Sequence, residues 1–226
     1  MRLARLATTG LLTGGLLFGA VACGGDSTGS ETSGSSAAPS AAAPSSAASA
    51  APQAEIAQLQ GTDTAVEVDP AVLEAITGLG VKVAPTGTGK LTMEYGPTLE
   101  FPITGGNVKI FDKAQVTPYV QGLINHDGSG LSFTGAGKTL TVQDFAVDPG
   151  TSMLTAKVKE MNNTEVPLFF LDGTELQISK DAEGRAKLDG TKVKLTAEAA
   201  QALNQTFGVD AFKPMMQIGI AHITAN

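Results

Sequence analysis

The chain has 226 residues, with 15 Lys and Arg against 22 Asp and Glu and a net charge of −7. That balance excludes a nucleic-acid binder, which needs clustered basic side chains to displace counterions from phosphates. The single cysteine excludes an intramolecular disulfide, so the fold rests on its core alone, and beyond the N-terminus no apolar run approaches the roughly 18 residues of a membrane-spanning helix.

The chain opens with Arg2 and Arg5, then an uncharged stretch over 6–25 with its apolar centre at Leu11, Leu12, Leu16, Leu17 and Phe18. Small residues follow, as Ala20-Val21-Ala22-Cys23. Positive, apolar and small segments in that order make an export signal. The ending resembles the lipobox of bacterial lipoproteins, in which the thiol after a small residue is diacylated before the signal is cut away. Ala20 stands where leucine is commonest. The resemblance implies a signal peptide over 1–22, lipid attachment at Cys23, and a mature protein held on the outer face of the cell membrane. A single acyl chain binds only reversibly, so a multiply acylated cysteine is the physically sensible anchor. Cleavage removes two of the 15 basic residues and no acid, leaving 13 against 22, or −9, with Arg185 the one remaining arginine. Such a charge does not favour a basic patch on anionic headgroups.

From residue 24 to 52 the chain is almost wholly Ser, Ala, Gly, Thr and Pro, with Asp26 and Glu31 its only charges. Without large apolar side chains the segment cannot offset the entropy of ordering its backbone. Pro39, Pro44 and Pro52 recur too closely for a helix. Residues 23–61 therefore read as a lipidated cysteine and a disordered tether, spanning on the order of 30 Å. One β-rich domain over 62–226 follows, an ordinary size for a single core.

Within that domain Asp69-Pro70 opens a helix over 70–76, the acid as cap and proline at the first helical position, and Gly78 stops it. The period then changes from helical to alternating. Leu91, Met93 and Tyr95 are expected on one strand face, and Leu99, Phe101 and Ile103 on another, with Pro102 marking an edge or interrupted strand. Gly105-Gly106 reads as a turn into a strand over 107–111. Leu131 and Phe133 alternate before a Gly135-Ala136-Gly137 turn, and residues 138–142 return as a partner strand. Leu140 and Val142 have one parity whereas Phe145 and Val147 have the other, which predicts a β-bulge around Gln143-Asp144. Asp148-Pro149-Gly150 turns the chain into an alternating strand over 154–158. Residues 166–171 are continuously apolar, as expected of a strand covered on both faces. Short strands at 176–178 and 193–195, a helix capped by Thr196 and ended by Gly208, and a closing strand over 217–224 complete the pattern. The predicted fold class is mainly β: an antiparallel β-sandwich or barrel-like domain of nine or ten short strands with two short helices.

The chemistry-bearing patterns are few. Gly137-Lys138-Thr139 ends a stretch that imitates a phosphate loop, but a strand pattern follows it where a helix must open. Residues 84–91 fail the same pattern, so both stretches read as hairpin turns. Asn125-His126-Asp127-Gly128-Ser129-Gly130 opens like a calcium loop, yet Ala136 occupies the position that needs a bidentate glutamate, leaving a Gly-rich turn. The two histidines, His126 and His222, have no zinc-ligand spacing, and no serine sits in a Gly-x-Ser-x-Gly elbow. His222 shares strand parity with Ile218 and Ile220 and reads as a packed or edge residue. No catalytic residue, metal site or cofactor is expected from these patterns.

Gly122, then Leu131-Ser132-Phe133-Thr134-Gly135, Leu140-Thr141-Val142 and the Asp148-Pro149 turn resemble the core of HtaA-type domains. Those are exported β-rich modules of actinobacteria that bind haem through a tyrosine supported by a histidine. The resemblance covers about 40 residues over 119–158, and the histidine expected after Phe-Thr-Gly is Ala136 here. It implies Tyr95, Tyr119 and His126 as candidate ligand-binding residues and haem as a candidate cofactor. Read by themselves, the tyrosines are strand residues with a polar tip. The expectation is a non-catalytic, lipid-anchored envelope protein that binds a ligand or protein partner there. The alternatives are a structural cell-wall module without a pocket, a haem-binding domain, or an envelope hydrolase whose carboxylates converge in one cleft.

Overall fold

The computed structural model describes residues 50–226; the expected signal peptide, Cys23 and most of the expected tether lie outside the described residues. Thirteen strands are present among those described. They are β1 (Ala54–Ile56), β2 (Asp63–Val68), β3 (Lys82–Gly87), β4 (Lys90–Thr92), β5 (Thr98–Pro102), β6 (Gly105–Ile110) and β7 (Val120–Gly135), followed by β8 (Lys138–Asp148), β9 (Met153–Val158), β10 (Thr164–Asp172), β11 (Gln177–Lys180), β12 (Ala186–Leu195) and β13 (Gln217–Ala225). Helix α1 (Pro70–Gly78) follows β2, and α2 (Ala197–Phe207) follows β12.

The strands form one antiparallel sheet in the order β1-β6-β7-β8-β9-β10-β12-β13-β2-β5-β4, with β3 also paired to β7 and β11 to β12. The fold is thus mainly β, one curled antiparallel sheet with two short helices, in keeping with the predicted sandwich or barrel-like class. The expected domain start at residue 62 is corrected. Ala54–Ile56 pairs with β6, and Leu59 is 2% exposed. Leu59 and the half-buried Ile56 draw residues 54–61 onto the domain, because both pack on the apolar cluster of Ile103, Val108 and Ile223.

Local chemistry explains most elements. Asp69 Oδ1 accepts from the Ala71 amide at 2.9 Å and Pro70 occupies the first turn of α1. Thr196 Oγ1 accepts from the Ala199 amide at 3.1 Å, and Gly208 ends α2 in the left-handed conformation. The parity switch in β8 is resolved by a bulge: Asp144 has φ +54°, and the register to β9 shifts between Gln143 and Ala146. Leu140, Val142, Phe145 and Val147 are consequently all buried.

Where the sequence pattern misleads, the cause is position in the sheet. Leu91, Met93 and Tyr95 were expected on one strand face, but the strand ends at Thr92, and on this three-residue edge strand Leu91 and the following Met93 are 63% and 74% exposed. Gly105-Gly106 does not turn the chain; it begins β6 and pairs with Asn125 and Ile124. The Gly-rich stretch at 125–130 is neither a free turn nor a calcium loop. It lies inside β7, whose register to β8 shifts between His126 and Gly130. One 16-residue strand therefore pairs with β6 along its first half and with β3 along its second. In β10 the expected two-sided cover holds at Leu168, which is buried, whereas Phe169 and Phe170 remain half-buried.

The curled sheet closes on itself through a short seam centred on one buried side chain. From β7 the path runs through β8, β9, β10, β12, β13 and β2 to β5, an eight-strand circuit of the size whose interior holds packed side chains or one small ligand. No strand ladder joins β5 to β7. The gap is spanned by His126 of β7: its Nδ1 lies 3.1 Å from the Phe101 carbonyl oxygen and 3.0 Å from that of Pro102. The Thr104 amide adds a bond to the Asn125 carbonyl at 2.8 Å.

Candidate functional site

Strand alternation aims one set of side chains into the barrel, and these enclose a cavity of about 360 Å³. Thr64, Val66 and Val68 enter from β2, Phe145 and Val147 from β8, Thr191, Val193 and Leu195 from β12, and Ala221 and Ile223 from β13. Leu73 and Ile76 of α1 and Leu203 of α2 contribute at one end. The exposed Leu91 and Met93 belong to the same wall and form its solvent-side rim. Thr64, His126 and Thr191 are the only polar side chains in a lining that is otherwise aliphatic and aromatic, apart from one proline.

His126 is 1% exposed. Burial pushes its imidazole below the ordinary value of 6.5 despite the carbonyls of Pro102 and Phe101, which favour the charged form. Because both neighbours of Nδ1 are carbonyl oxygens, Nδ1 carries the proton and donates to them. Nε2 then accepts from Thr64 Oγ1 at 3.3 Å. A neutral imidazole with both nitrogens engaged closes the seam and leaves no free donor pointing into the cavity.

A second cavity of about 300 Å³ lies toward the other apolar cluster. It shares Val147, Leu171, Thr191 and Ile223 with the first. Its remaining wall mixes Val120, Ile124, Phe170 and Leu188 with Lys113, Thr117 and Tyr119 from the segment before β7 and with Ser152, Asp172 and Thr174. The Tyr119 hydroxyl is buried and has no hydrogen-bond partner, and Lys113 Nζ lies 4.5 Å from the centroid of its ring.

The residues singled out from sequence do not come together. Tyr95 stacks on His222 of β13, with ring centroids 4.1 Å apart and planes 10° apart. Burial, and next the Glu94 carboxylate, raise the Tyr95 phenol above its ordinary pKa. His222 Nδ1 in turn lies 3.1 Å from Asp189 Oδ1 on the neighbouring strand. As expected from its parity, His222 is a packed strand residue. Tyr119 lines the second cavity and His126 the first.

No protein-family model matches the chain, and no curated protein matches it. Among solved structures it is similar to the C-terminal domain of HtaA from Corynebacterium glutamicum, at 18% identity and a TM-score of 0.50, over 74% of this chain and 97% of that one. The likeness is one of fold. It covers more of the chain than the 119–158 segment that carried the resemblance. Ala136, where the resemblance places a histidine, sits in the two-residue turn between β7 and β8 with φ +49°. Tyr95 instead neighbours β13, and Tyr119 the second cavity, so neither tyrosine belongs to that turn. Among the described residues no group of three or more His, Cys, Asp or Glu is placed to hold a metal, and no helix is long and apolar enough to cross a membrane.

Sequence reasoning missed the cavity itself. Its signal was available in part: on β2, β12 and β13 the inward positions carry Thr, Val, Ala and Ile rather than large aromatics. Small inward residues on several strands leave a barrel hollow.

Proposed function

We propose that this protein is a non-catalytic binding domain that takes a hydrophobic ligand inside its barrel and is held on the outer face of the cell membrane by lipid at Cys23. The apolar interior cavity carries this conclusion. About 360 Å³ of space lined by apolar side chains is left unpacked, so the lining forgoes contacts that larger residues would supply. A structural module would gain by filling it with larger side chains, whereas a carrier requires the space. Occupancy by an alkyl chain restores the lost contacts: ten methylenes gain about 8 kcal/mol, equivalent to a Kd of about 1 μM before the cost of immobilising the ligand. The one titratable group in the lining, His126, has both nitrogens engaged in the seam, which supports binding rather than acid–base chemistry.

The soluble domain over 50–226 is expected to bind an acyl-chain fluorophore saturably, with blue-shifted emission. Ala221→Phe, which places a ring in the cavity, should abolish binding while circular dichroism stays unchanged. Failure of the wild-type domain to bind any apolar probe would overturn the proposal. Haem is the second reading, supported by the HtaA-like fold and by the stacked Tyr95–His222 pair. A Soret shift on adding haem, lost in Tyr95→Phe, would favour it.

The anchor has its own test. Full-length Cys23→Ser should move from the membrane to the soluble fraction with the domain still folded, because serine cannot accept the acyl group. Wild-type membrane retention of the variant would remove the lipoprotein assignment.

A further inference from the structure

We infer that the ligand is a single-chain amphipath with an anionic head, gripped at the second cavity by Lys113 and Tyr119 with its chain directed into the barrel; this rests on the binding function proposed above. Three observations converge on that end of the domain. The second cavity is apolar where it shares Val147, Leu171, Thr191 and Ile223 with the barrel interior, and polar where the segment before β7 borders it. Lys113 is exposed at this polar side and has no ion-pair partner among the described residues, unlike Lys109, Lys192 and Lys194. The Tyr119 hydroxyl is buried without any partner, although buried polar groups are almost always paired.

A carboxylate or phosphate oxygen placed beside Tyr119 accepts from the phenol and brings its charge next to the Lys113 ammonium. Both deficits are satisfied by one anion. Asp172 lines the same cavity, but its charge is offset by Lys194 Nζ at 2.7 Å and its oxygens are taken by Lys194 and by the Thr174 hydroxyl and amide. A neutral oxygen could also accept from the phenol, but it would bring no charge to the Lys113 ammonium, so the charge of the head is what separates the two ligands.

The probe pair is dodecanoate and dodecanol, which share a chain and differ in the charge of the head. Titrated calorimetrically at neutral pH and low salt, dodecanoate is expected to bind about tenfold more tightly, the factor that corresponds to one charge-assisted hydrogen bond. Lys113→Met and Tyr119→Phe should each reduce dodecanoate toward the affinity of the alcohol, and raised salt should narrow the gap for the wild type. Tyr119→Phe keeps the ring and volume, so its effect reads the hydroxyl rather than the fold. Equal binding of acid and alcohol, or a preference that survives both substitutions, would overturn the inference while leaving the hydrophobic cavity intact. Binding of neither would instead reject the binding function on which it rests.

Discussion

Replacing His126 by alanine is expected to lower stability by about 3–5 kcal/mol, with a fall in melting temperature of about 10 °C. The side chain is 1% exposed, and it is the hydrogen-bonded link between β7 and the carbonyls of Phe101 and Pro102 on β5. Alanine leaves those two carbonyls and the Thr64 hydroxyl without their partner in a seam that no ladder supports, and it adds a void beside an existing cavity. His126→Gln separates hydrogen bonding from charge, since an amide can still donate to a carbonyl and accept from Thr64. It should retain part of the lost stability. The pH dependence follows from the direction of the histidine shift. Burial holds the folded pKa below the ordinary 6.5, so in the window beneath 6.5 the unfolded chain takes up a proton that the folded one refuses. Stability contributed by the neutral imidazole is therefore full above 6.5 and is lost as the pH falls toward the folded value. Urea melts between pH 7.5 and 5 should show wild type losing stability relative to His126→Gln. Parallel curves for the two proteins would show that the seam is insensitive to the charge on this ring.

The second large effect is expected at Gly122. Its φ is +134°, and a Cβ there would lie 2.1 Å from the Asn107 carbonyl oxygen of the paired strand. Gly122→Ala therefore meets both a forbidden backbone conformation and a backbone atom that cannot rotate away. A loss of about 3 kcal/mol or more is expected, with the β6–β7 pairing displaced. Gly184→Ala is the internal comparison. That residue also has positive φ, at +83°, but nothing lies within 4 Å of its would-be Cβ, so its cost should stay near 1 kcal/mol. Similar losses in the two variants would mean that backbone strain alone governs, and that the close approach of β6 to β7 contributes nothing.

Gly122 also shows how unevenly the sequence could be interpreted. It was noticed as part of the HtaA-like pattern, but the reason for a glycine there is the carbonyl of Asn107, a residue on another strand. The bulge at Asp144 was legible because opposite parities on one strand admit no other solution. Tyr95, Tyr119 and His126 were chosen as one potential ligand-binding set. They separate into an outer stack, a second cavity and a seam, because which strand faces which is not a local property. The exposed Leu91 and Met93 show the same limit: alternation shows that two residues share a face, not whether anything covers it.

The amino-acid sequence by itself determined the features governed by neighbouring residues. These are both helix caps at Asp69 and Thr196, the β7–β8 hairpin turn, the bulge, and a chain committed to antiparallel strands. Each depends on backbone conformations and hydrogen bonds that span only a few positions. Tertiary structure alone decided the single curled sheet, the attachment of residues 54–61 to it, the closure at His126 and the apolar cavity within. Those depend on which distant residues meet: Thr64 with His126 across 62 positions, and Val147 with Ile223 in one wall. A cavity is the volume left after all strands have packed, and no single strand's sequence contains it.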